Sequence, residues 1–234
     1  MSSTGPSIAG TTEMLRHNKI DLALHHLRDA TSDCRPLLLL HGLGECSSPE
    51  VPEWAAAWPG QISALDFTGH GLSTVPRAGG YTAEILLGDA DAALAALTYA
   101  DPESAITVAG RGLGAYIALQ LAGARAEHVH GALLLDGPGL LGGPNGPTSQ
   151  GIFTLVQPDQ PPDPYALDEL GRDPRPADYA ALFVRLALTM SGLDEPVAVS
   201  AKIRPEWLEA VAREQGVMEI SPAEALAAFA VAGV

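Results

Sequence analysis

Four short, mostly apolar runs do the most to limit what this chain can fold into: Pro36 to Leu40 (PLLLL), Ile62 to Phe67 (ISALDF), Ile106 to Ala109 (ITVA) and Gly131 to Asp136 (GALLLD). Each is too short for a self-burying helix and lacks the polar alternation of a half-wet strand. They therefore read as strands covered on both faces. Helix-like segments separate them: PEWAAAW with its early proline, then Tyr81 to Thr98 with Leu86, Ala90, Ala93, Leu94 and Leu97 at helical spacing, then Ala115 to Ala122. Ile20 to Leu27 (IDLALHHL) alternates instead, as a half-buried antiparallel strand does. The pattern predicts an α/β fold, a mostly parallel sheet with helices on both faces. Ligands in such sheets gather at the strand carboxyl ends.

From Gly137 the texture changes. GPGLLGGPNGPTSQ and QPDQPPDP are turn-forming and stiff, and read as an excursion over the sheet. Beyond it, Tyr179, Leu182, Phe183, Leu186 and Met190 are spaced for a helix, and Ser221 before Pro222 reads as the cap and first residue of a closing helix. Pro196 to Ser200 (PVAVS) is a weak strand signal, and Ala201 to Val234 reads as helices, so the sheet is expected to be shortened at its C-terminal end. The expected organisation is one domain over 1–234, with a core sheet over 12–140, an excursion with cap-like helices over 141–200, and C-terminal helices over 201–234.

A formal net charge of −15 disfavours nucleic acid and anionic membrane surfaces as partners, because affinity for either comes from lysine and arginine. The opening MSSTGPSIAG lacks the basic flank and apolar core of a signal peptide, and no run nears the roughly 20 apolar residues of a membrane span. The expected location is cytoplasmic. Cys34 and Cys46 have no CxxC spacing, so free thiols are expected and no metal or cofactor is indicated.

The stretch ITVAGRGLGAY, Ile106 to Tyr116, carries glycines at 110, 112 and 114. The outer pair suits a G-x-S-x-G nucleophile elbow, but Gly112 stands where the serine would be. LLLLHGLG, ending at Gly44, and DFTGHGLS, Asp66 to Ser73, precede it. Together these three stretches, in this order, make residues 12–140 resemble the α/β-hydrolase fold family. The resemblance implies an oxyanion-type loop at His41 to Gly44 and an elbow at Gly112, followed by an acid and a histidine on late strands.

The chain departs from that pattern. All seven histidines lie at or before position 130, so none follows the excursion, and no triad can be assigned. Gly112 reads as a bend whose strain, of order 1–3 kcal/mol for another residue, glycine relieves. His41, His70, Asp136 and Cys46 are the fallback catalytic candidates, although histidines in His-Gly turns more often bond local backbone. Asp66 is expected to tie down its own turn. The backbone around Gly42, Leu43, Gly44, Gly112 and Leu113, with Arg111 beside it, is a candidate cradle for a carboxylate or other small anion. A cleft filled by side chains of the helical last third is the alternative. The leading functional reading is a fold that has lost hydrolysis and binds a small ligand or partner. The alternatives are an esterase-like hydrolase or lyase using displaced residues, and a homo-oligomer built on exposed apolar helices.

Overall fold

The computed structural model describes residues 7–17, 19–143 and 162–231; most of the Pro/Gly-rich excursion lies outside them. Eight strands form one sheet: β1 Thr11–His17, β2 Ile20–Arg28, β3 Leu37–Leu40, β4 Ile62–Leu65, β5 Ile106–Arg111, β6 Val129–Leu135, β7 Val197–Ser200 and β8 Val217–Met218. Their order across the sheet is β1-β2-β4-β3-β5-β6-β7-β8. The β1–β2 and β2–β4 pairs are antiparallel, and the rest run parallel. Among the described residues six α-helices accompany them: α1 Ala83–Leu97, α2 Leu113–Ala124, α3 Pro164–Arg172, α4 Ala177–Met190, α5 Glu206–Ala212 and α6 Pro222–Val231.

The four leucines of β3 show why the apolar runs are continuous. Leu38 and Leu40 face the core under α1, α2, α4 and α5, while Leu37 and Leu39 face the second core under α6 and the single turn Glu53–Ala55. With alternate residues buried on opposite faces, no position along the strand is left for a polar side chain. Helix starts follow local chemistry. The Thr82 hydroxyl accepts the Ile85 amide at the head of α1, and Asp163 caps α3 ahead of Pro164. At α6, Ser221 and Glu224 form a reciprocal capping box, each side chain accepting the other's amide.

The C-terminal third bears out the weak strand signal at 196–200 and departs from the helical reading of 201–234 at one point. PVAVS is a fully paired strand, with Val197–Ser200 in register against Ala132–Leu135 of β6. Val217–Met218, inside a stretch read as helical, adds an eighth strand of two residues. Two residues are too few to produce periodicity, and the edge they form is correspondingly short. None of the helices among the described residues is long and apolar enough to cross a membrane.

Candidate functional site

Because β3 to β8 are parallel, the loops after them meet along one rim of the sheet. At its centre β5 ends at Arg111 and α2 begins at Leu113, leaving Gly112 to turn the chain at φ 59° and ψ −121°. A side chain in that backbone region costs about 1–3 kcal/mol. Close approach explains the outer glycines: a Cβ on Gly114 would lie 2.5 Å from the Leu40 carbonyl oxygen, and one on Gly110 would run into the backbone of Gly114. Gly112 has a second reason to lack a side chain. A Cβ there would overlap the Pro138 carbonyl oxygen and lie 2.6 Å from the Gly137 carbonyl carbon. The space a serine would project into is held by Gly137 to Leu140, a strap following β6.

In a working elbow the oxyanion is held by the amide after the nucleophile and by one from the loop after the central strand. The corresponding donors are Leu113 and Leu43, and both donate to the Pro138 carbonyl, at 2.9 and 3.0 Å. The Gly42 amide donates to Glu45 Oε2 at 3.0 Å, that of Gly44 to His70 Nε2 at 3.2 Å, and that of Gly112 to the Leu135 carbonyl at 3.0 Å. The Arg111 guanidinium lies 2.8 Å from Glu45 Oε1. So the fold brings Gly42, Leu43, Gly44, Arg111, Gly112 and Leu113 together, but these donors are bonded within the chain. Among the described residues the Leu43 and Leu113 amides are met by backbone from the strap, while the last third sets the Leu167 side chain against Gly44 and contributes a clamp: Trp207 Nε1 donates to the Leu140 carbonyl at 2.9 Å.

His41 and His70 also meet, with ring centroids 5.0 Å apart, both buried. His41 Nδ1 lies 2.7 Å from the Gly42 carbonyl, which fixes the proton there, and Nε2 accepts the Phe67 amide at 3.0 Å. His70 Nδ1 faces the Thr68 carbonyl at 3.1 Å, and Nε2 accepts the Gly44 amide. Each ring is neutral, with its lone pair already taken by an N–H, an arrangement that ties loops together and leaves no base free. Burial lowers both pKa values; burial and the neighbouring His41 take His70 down to about 3.

The remaining candidates sit in similar employment. Asp136 accepts the amides of Lys202 and Ile203 at 2.7 and 2.9 Å, fastening the loop after β7. Burial, with Asp66 and Glu45 nearby, raises the Cys46 thiol, which keeps it protonated and a poor nucleophile. Asp66 accepts the Leu72 amide of its own turn, the Ser47 amide and a bond from His25 Nε2. Burial pushes its pKa up, but the His25 bond, the nearby His41 and the two amides outweigh it and bring the carboxyl to about 2.

On the late strands, where the family pattern puts the acid and the histidine, Arg204 follows β7 and Glu219 follows β8; their side chains are paired at 2.5 Å. Sequence reasoning missed this pair because β8 is so short, and it missed the strap's contact. The GPG at 137–139 signals a tight turn but not which carbonyl it presents.

Known proteins share this fold. A thioesterase domain from the curacin biosynthetic pathway superposes with a TM-score of 0.56 at 16% identity, over 94% of this chain and 97% of that one. A laboratory-evolved potato epoxide hydrolase matches at 24% identity and a TM-score of 0.43, over 53% of this chain and 39% of its own; an epoxide hydrolase from Vigna radiata matches at 21% and 0.42, over 55% and 38%. The chain thus spans about two fifths of the length of these epoxide hydrolases. No curated protein matches in sequence. The family model described as serine aminopeptidase, S33, matches residues 31–158, more than half of the 234 residues. Sheet order, elbow geometry and family match agree: the chain belongs to the S33 family of α/β-hydrolases.

Proposed function

We propose that this α/β-hydrolase has given up serine-dependent acyl transfer and works by binding a ligand or partner. The observation that carries the reading is the Pro138 carbonyl, which accepts both amides an oxyanion would need. An oxyanion hole stabilises charge that develops during reaction only if its donors are free to meet it. Here the hole is filled by a permanent acceptor, the elbow has no nucleophile, and both nearby histidines have spent their lone pairs on backbone. The Arg204–Glu219 pair likewise supplies neither an acid oriented toward a base nor a base.

The test is covalent labelling by a fluorophosphonate together with turnover of p-nitrophenyl esters and acyl thioesters. Thioesters are included because a thioesterase domain matches this fold over nearly its full length. The expected outcome is no labelling, and turnover equal to that of the His41→Ala, His70→Ala double variant. Labelling that maps to a side chain of this chain, or turnover lost in the double variant, would show that displaced residues do the chemistry.

A further inference from the structure

At the opposite rim of the sheet, beside the start of β4, lies a cavity of about 370 Å³ that the elbow does not share. Its walls come from the edge strand β1 and the residues before it, from the neighbouring β2, from Gln61 just before β4, and from Ala96 and Leu97 in the last turn of α1. The volume falls in the range of small-ligand sites. Three features of the lining agree on the sign of charge it would take.

His26, with 7% of its surface exposed, lies with Nδ1 3.1 Å from Gln61 Nε2 and Nε2 3.3 Å from Glu13 Oε2. The Gln61 amide N–H donates to that ring and to the buried Ser63 hydroxyl at 3.0 Å, so the other end of the amide, Oε1, remains as an acceptor. The ring turns Nε2 toward the Glu13 carboxylate, and its Nδ1 also lies 3.1 Å from the Ser63 hydroxyl. The side chain of Glu13 is 53% exposed and retains a second carboxylate oxygen for a ligand. The third feature is α1 itself: the wall includes its C-terminal turn, the negative end of the helix dipole, and that turn contains no basic side chain. The acidic chain as a whole adds a field of the same sign. Ile8, Ala96 and Leu97 give the cavity an apolar wall suited to a short hydrocarbon chain.

From this lining we infer that the cavity binds a primary alkylammonium ligand, its ammonium shared between Glu13 and Gln61 and its carbon chain against Ile8, Ala96 and Leu97. An ammonium offers three donors and no acceptor, which is the complement of a carboxylate beside an amide oxygen. The site does not depend on the reading of the elbow, so hydrolysis could be found there and this inference still stand.

The experiment titrates n-butylammonium into the full chain, following Tm, with n-butanol and butyrate as controls at matched ionic strength. The expected result is a saturable rise in Tm, on the order of 5 °C at a hundredfold excess over Kd, with n-butylammonium alone. Glu13→Gln should fold normally, because Glu13 lies on an exposed edge strand, and should weaken binding at least about tenfold. Glu53→Gln, at an exposed carboxylate outside the cavity lining, should leave the affinity unchanged. Overturning results are no saturable response in the native chain, an equal response to butanol, or binding that Glu13→Gln and Glu53→Gln weaken alike, which would be condensation on an acidic surface.

Discussion

The loops after β3, β4 and β5 and the loops after β6, β7 and β8 occupy the same rim, yet they are held by different means. The early loops are locked by buried polar groups: His41 and His70 join each other's turns, and Asp66 gathers Ser47, Leu72 and His25. The late loops are fastened by the Pro138 carbonyl, by the Asp136 carboxylate on the Lys202 and Ile203 amides, and by an ion pair that keeps much of its solvent, the side chains of Arg204 and Glu219 being 30% and 50% exposed. The difference teaches that one rim of one sheet can be held in two ways, by buried polar side chains on one side and mostly by main-chain acceptors and an exposed pair on the other. Buried polar networks are costly to break, whereas exposed pairs contribute little, so the two halves should respond to mutation on different scales.

The largest effect is expected where the two halves touch. Gly112→Ser adds strain of about 1–3 kcal/mol and forces a side chain against the strap at a similar additional cost. A loss of about 4 kcal/mol in urea melts is expected, with no fluorophosphonate labelling of the new serine. A variant as stable as the native chain would mean that Pro138 does not lie over position 112.

Acid should act mainly on the early loops. The folded value of His70, about 3, lies below the ordinary 6.5, so the unfolded chain takes up the proton first. Its contribution is complete above pH 6.5 and falls by up to about 1.4 kcal/mol per pH unit below it, about 3 kcal/mol by pH 4. His70→Gln should flatten this part of the stability profile. An unaltered slope would assign the acid sensitivity elsewhere.

Asp66 has the opposite kind of group but the same direction of pH dependence. With its carboxyl held at about 2 rather than 3.8, it stabilises the fold fully above pH 4. That contribution, about 2 kcal/mol, disappears as pH falls toward 2. Chemical melts of Asp66→Asn between pH 2 and 5 should show a shallower decline than the native chain.

The smallest effect belongs to the late pair. Arg204→Met should cost no more than about 1 kcal/mol at low salt and less at high salt. A cost rivalling that of His70→Gln would erase the contrast between the halves.

Much of the early half was legible because its constraints are written in residue types. The run of leucines in β3 needs two apolar faces, and the glycines at 110, 112 and 114 mark backbone packed on backbone. The local half of the bonding of His41, His70 and Asp66, to Gly42, Thr68 and Leu72, follows from turns returning on themselves, while their bonds to Phe67, Gly44 and Ser47 join one loop to the other and have no sequence signal. The late half was harder to read because its decisive contacts, the strap on the oxyanion loop and the pairing of β8, use atoms that every residue has. No side-chain pattern announces that the carbonyl of Pro138 reaches Leu43, 95 positions earlier, or that Val217 and Met218 pair with β7. The candidate anion cradle was located by its glycines, while its occupant was invisible for the same reason.

The central claim is that the oxyanion amides already have their acceptor, and amide hydrogen exchange at Leu43 and Leu113 reads it directly. The account predicts that both amides exchange slowly, with protection close to that of the β3 core, and that neither a carboxylate nor a phosphonate changes their rate or chemical shift. Rapid exchange at both positions, or a saturable shift of both on adding a phosphonate, would contradict it and return the elbow to the status of an open site.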